Sequence, residues 1–124
     1  MAVRIHGNFR DLRLRSVHKQ ERPFKPLNEV VEDQTEWFMS EQEGTVVGFR
    51  FPDLIAGIEV PGWHLHFLSK DRTHGGHIMS LAVTNAHIEL DRCEDLHVEL
   101  PRGQVLGQIG KADREMIHNI EGAN

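Results

Sequence analysis

Trp63-His64-Leu65-His66-Phe67 is the stretch that decides how this chain is read. Successive side chains of a strand point to opposite faces, so His64 and His66 share one face and Trp63, Leu65 and Phe67 take the other. The three apolar residues anchor that face in packing and hold the imidazoles still. His77 follows, behind Gly75-Gly76 and a turn-rich stretch at 69–76. If Asp71-Arg72 forms the tip of a hairpin, Lys70 pairs with Thr73 and His66 falls opposite His77. Opposed residues of an antiparallel pair point to the same side with Cβ atoms about 5 Å apart, so in this register three imidazoles converge. The two glycines let the backbone turn tightly and approach its neighbours closely. Such a set suits zinc or another divalent transition metal, with a fourth position open to water or substrate.

Working outward, residues 3–5 and 12–15 alternate apolar with polar, the period of half-buried strands. Gly7-Asn8 between them suits a turn, which predicts a hairpin. Two prolines at 23 and 26 mark an extended crossing. Leu27, Val30, Val31 and Gln34 fall at i, i+3, i+4 and i+7, the spacing of a short helix. Residues 45–51 are rich in β-branched and aromatic side chains and stop at Pro52, so they read as a strand. A helical turn is expected at 53–57. Strands are expected at 63–68, 77–84, 86–90 and 96–100, with turns at 73–76, Asn85 and 91–95. Asp113 caps a last short helix holding Met116, Ile117 and Ile120, with Gly122 as its stop. The fold class is therefore α+β but β-rich. Mostly antiparallel strands form a small barrel-like sheet, with one or two short helices, in a single domain over 1–124.

The bulk properties bound the function. The 124 residues suffice for one modest core. A net charge of −5 argues against a nucleic-acid partner. No apolar run approaches the roughly 18 residues of a membrane span, and the first residues carry no signal region. Cys93 stands alone, which excludes an internal disulfide and a cysteine-rich zinc module. Together these describe a reduced, cytoplasmic protein.

Nine histidines are many for this length, and spacing must separate ligands from bystanders. His87 and His97 precede Ile88-Glu89-Leu90 and Val98-Glu99-Leu100, an echo that reads as two solvated strand faces. His6, His18, His74 and His118 lack partners at ligand spacing. Cys93 reads as a half-buried spacer. Arg13 and Arg15 share a strand face, and the planar fork of an arginine can hold both oxygens of a carboxylate.

Several of these stretches, taken together, resemble the C-terminal half of α-acetolactate decarboxylase. They are Gly44-Thr45-Val46-Val47-Gly48-Phe49-Arg50-Phe51-Pro52, Val60-Pro61-Gly62-Trp63-His64-Leu65-His66-Phe67 and Gly75-Gly76-His77. The resemblance extends upstream to Arg4-Ile5-His6-Gly7-Asn8-Phe9 and Lys25-Pro26-Leu27, and downstream to Leu96-His97-Val98-Glu99-Leu100-Pro101. It implies that His64, His66 and His77 bind a catalytic zinc ion and that Arg15 reaches the substrate. It also implies that a glutamate of the C-terminal tail, best matched by Glu121, folds back to the site. The implied reaction is decarboxylation of a 2-hydroxy-3-keto acid, 2-acetolactate, to acetoin. Negative charge left on an enediolate would be stabilised by a Lewis acid, and no organic cofactor is needed. The family enzyme also has an N-terminal domain that contributes to dimerisation and carries another active-site glutamate. Here Met1 stands at the start of the second half, so the chain is a fragment, or the partner of a separate N-terminal half, or a lone domain with another role. A homo-oligomer is expected. The alternative function is a non-catalytic oligomeric metal-binding module, resembling the small plant- and prokaryote-conserved domain.

Overall fold

The computed structural model describes residues 1–25, 27–56 and 59–99. Four antiparallel strands, β1 (Ala2–Ser16), β2 (Thr35–Phe51), β3 (Gly62–Ser69) and β4 (Gly75–Asp91), close into a small barrel in the order β1-β2-β3-β4. Strand β1 is the spine. It pairs with β2 from Ala2↔Phe49 to Ser16↔Thr35, and on its other side with β4 from Ala2↔Asp91 to Arg15↔His77. The ring closes through a short ladder between β3 and β4: His66↔His77, Phe67↔Gly76 and Leu68↔Gly75. The β-rich, mostly antiparallel barrel expected from the sequence is the fold observed. One short helix, α1 (Leu27–Glu32), and a 3₁₀ turn at Asp53–Ile55 accompany it. No helix among the described residues is long and apolar enough to cross a membrane.

Phe9, Leu12, Leu14, Val46, Phe67 and Ile78 fill the barrel, with Phe9 and Phe67 meeting edge to face at 5.7 Å. Each fully buried side chain of this kind contributes about 1.5–3 kcal/mol. Trp37, Met39, Leu65, Leu81 and Ile5 pack around them.

Two expected turns are absent. The hairpin at Gly7-Asn8 is in fact one continuous strand. The inward phase changes within it, from Val3 and Phe9 to Leu12 and Leu14. A bulge at Asp11, whose φ is +52°, makes the change without reversing the chain. Gly7 serves close approach instead: a Cβ there would run into the Asn85 carbonyl and Ala86 of β4. Strand β4 likewise runs straight through Asn85, which pairs with Asn8. β2 begins at Thr35, well before residue 45, because Trp37 and Met39 reach the core while Glu36, Phe38 and Ser40 face outward.

Residues 96–99 form no strand, so His97 lies on no strand face; it is exposed and meets Glu99 at 3.4 Å. Cys93 is exposed rather than half-buried. Phe67 is buried and Leu65 partly so, but Trp63 is exposed. The helix expected after Asp113, the tail carrying Glu121, and His118 lie outside the described residues.

The candidate metal centre

The β3–β4 hairpin sets the site. Its tip is Asp71-Arg72, as the register argument requires, with Arg72 at φ +61°. The Ser69 N–H donates to the His74 carbonyl at 2.8 Å and the Arg72 N–H to the Ser69 carbonyl at 2.9 Å. The Asp71 carboxylate accepts from Ser69 Oγ at 2.6 Å and from Thr73 N and Oγ1 at 3.1 and 2.8 Å. Those bonds, Ser69 first, hold its pKa down to about 2, so it stays ionised and keeps the turn closed.

Because Leu65 and Phe67 turn inward, His64 and His66 stand on the outer face of the barrel. The same alternation on β4 puts Ile78 inside and His77 outside, directly opposite His66. The three ring centroids lie 5.0–5.3 Å apart. One donor nitrogen from each lies within 4.8 Å of the others. His64 Nε2 and His66 Nε2 face one another at 3.1 Å. Gly76 permits the convergence, since a Cβ there would sit 2.6 Å from the Arg15 carbonyl oxygen.

His77 is only 8% exposed, and its buried Nε2 has no hydrogen-bond partner among the described residues. A buried ring nitrogen with no partner is costly unless something else meets its lone pair. Burial, aided by Arg15, His64 and His66, lowers the pKa of His77 to about 4. At neutral pH it is therefore an uncharged donor, the form a cation binds. The donor set and the orphaned nitrogen both fit a divalent transition metal.

Arg15 is brought to the same place. It pairs with His77 on β4 and with Glu36 on β2, and it is 6% exposed. Its Nη1 donates to Gln34 Oε1 at 3.5 Å. Arg13, by contrast, is exposed and bound to Glu36. Beside His64 and His66 an open groove of about 610 Å³ is lined by Val47, Phe49, Phe51 and Glu59. The structure brings none of His6, His18, His74, His87 or His97 to the triad. Sequence reasoning missed Glu59 and gave Gln34 no role beyond its helix. The signal for Glu59 is a lone carboxylate between Ile58 and Val60, just before Pro61-Gly62 lead the chain into β3.

Fold and site together define a small antiparallel barrel carrying a three-histidine cluster able to hold a metal ion, with a buried arginine beside it. Comparison with known proteins narrows the class: residues 1–109 match the family model for alpha-acetolactate decarboxylase, and the chain belongs to that family. It is 38% identical over 122 residues to an alpha-acetolactate decarboxylase of Methylococcus capsulatus, covering 97% of this chain and 47% of that one. It is 40% identical over 100 residues to one from Brevibacillus brevis, covering 81% and 35%. The crystal structure of alpha-acetolactate decarboxylase from Bacillus subtilis strain 168 superposes with a TM-score of 0.82 at 30% identity, over 98% of this chain and 53% of that one. A Staphylococcus aureus protein of unknown function, similar to alpha-acetolactate decarboxylase, gives 0.71 at 31% identity, over 75% and 40%. The chain thus spans about half the length of the curated relatives it matches, or less.

Proposed function

We propose that the chain provides the metal-binding and substrate-binding centre of a carboxy-lyase that converts 2-acetolactate to acetoin. The observation that carries this reading is the convergence of His64, His66 and His77 beside a buried arginine. His64, His66 and His77 would hold a divalent ion, zinc first among the candidates given three imidazole donors. When bound, the ion supplies Lewis acidity toward the oxygens that flank the bond to be broken.

The other steps belong to the chain. Arg15 meets the substrate carboxylate, or the charge that develops as carbon dioxide leaves, with two parallel N–H donors. Its burial keeps water from screening that charge. Val47, Phe49 and Phe51 give the alkyl groups of the substrate an apolar wall beside His64 and His66. A carboxylate then handles the proton. Glu121 is the residue that resemblance implies, and Glu59 is the one that lines the groove.

The test is acetoin formation from 2-acetolactate by the purified chain after stripping and zinc reloading. Zinc-dependent acetoin supports the proposal, even at a low rate. Zinc uptake with no acetoin, also after the N-terminal half of a relative is added in trans, would favour the non-catalytic metal-binding module.

A further inference from the structure

Gln34 sits where helix α1 hands over to β2, its N–H donating to the Val31 carbonyl at 3.3 Å. Its side chain lies between two charged groups. Gln34 Nε2 donates to Glu36 Oε1 at 2.7 Å, and Gln34 Oε1 accepts from Arg15 Nη1 at 3.5 Å. The other carboxylate oxygen, Glu36 Oε2, accepts from Arg13 Nε at 3.1 Å and Nη2 at 2.8 Å. The four residues form one chain from the surface inward: Arg13, Glu36, Gln34, Arg15.

The polarity of that chain is fixed by chemistry. Arg13 holds the Glu36 carboxyl ionised, with the Gln34 bond adding to the effect. An ionised carboxylate only accepts, so Gln34 must turn its NH₂ toward Glu36. Its carbonyl oxygen is then left facing Arg15, and no flipped amide satisfies both neighbours. Gln34 thus offers the guanidinium a neutral acceptor, which fixes the direction in which its Nη1 points. We propose that Gln34, locked by the Arg13–Glu36 pair, is a positioning residue that aims Arg15 at a substrate carboxylate beside the histidine triad. This deepens the proposed function and rests on Arg15 serving an anion.

The test uses 2-hydroxyisobutyrate, a 2-hydroxy carboxylate that lacks the keto group, titrated calorimetrically into the zinc-loaded chain. Arg15→Ala asks whether Arg15 serves the anion at all, and Gln34→Leu asks whether Gln34 aims it. Both should weaken binding by about tenfold or more, the scale of one hydrogen bond to a charged group. Zinc stoichiometry and the metal-free melting temperature should stay at wild-type values for Gln34→Leu, which a merely structural residue would not allow. Gln34→Glu should weaken binding further, because a negative charge then replaces the neutral acceptor at Arg15 and repels the anionic probe. Glu36→Gln frees the amide to flip and should give a smaller loss; with Gln34→Asn, too short to span both neighbours, it carries the test if Gln34→Leu fails to fold. Wild-type affinity in the Gln34 variants, with a loss in Arg15→Ala, would overturn the proposal while leaving the function reading intact. No binding by the wild-type chain, or no loss in Arg15→Ala, would overturn both.

Discussion

His77 couples the site to the stability of the fold. Its imidazole is buried, and with its pKa lowered to about 4 it stays neutral where an unfolded histidine, at 6.5, takes up a proton. Below 6.5 the unfolded chain therefore binds the additional proton, so protonation favours unfolding. The metal-free protein should lose stability as pH falls from 6.5 toward 4, and His77→Phe should flatten that dependence; urea midpoints across this range check it. Arg15 makes a separate prediction. Arg15→Ala should lower kcat/KM for acetolactate about 10²-fold, as loss of a preorganised charge partner does. Arg15→Lys, with a point charge in place of a fork, should recover only part of it. Of the two carboxylates, whichever handles the proton should cost about 10²–10⁴-fold when changed to glutamine, and comparing Glu59→Gln with Glu121→Gln decides which it is.

Among the elements, the β3–β4 hairpin was the most legible in the sequence. Alternation placed His64 and His66 together, and turn chemistry at Asp71-Arg72 gave the register that sets His66 opposite His77. Arg15 came from its family match, since a bulged strand with both Leu14 and Arg15 buried breaks simple alternation. The same bulge explains the misread hairpin: a change of inward phase looks alike whether a turn or one extra residue causes it. β2 was legible only where β-branched residues cluster, because its first half mixes Glu36, Phe38 and Ser40 on the outer face and so hides the alternation. Gln34 meets Arg15 across the strand pair, and Glu59 shares a groove with Ala2 and Val47; no local pattern reports such neighbours. Gly76 offers the sharpest test at this level. Gly76→Ala forces a methyl against the Arg15 carbonyl and should cost about 1–3 kcal/mol by overpacking. It should also weaken zinc binding by moving His77, an effect that a competition titration with a chelator would read.

Taken whole, the molecule is a closed ring that leaves large apolar groups in the open. Ile88 and Leu90 of β4 and Phe38 of β2 are all more than half exposed. Ile88 and Leu90 share one face of β4, and exposed apolar surface of this kind tends to be covered by association, so the purified chain should scatter light as an oligomer at micromolar concentration. A single-chain mass would contradict that. The ring also explains why the site sits outside the barrel: the interior is filled by Phe9, Leu12, Leu14, Val46, Phe67 and Ile78, leaving only the outer face for polar chemistry. The proposed chemistry depends on that face holding a metal ion. Elemental analysis of the chain, dialysed after loading with zinc at neutral pH, tests this most directly. The prediction is one zinc per chain in the wild type and far less in His66→Ala, which keeps only two of the three ligands. Wild-type protein that retains no zinc and takes up none would contradict it.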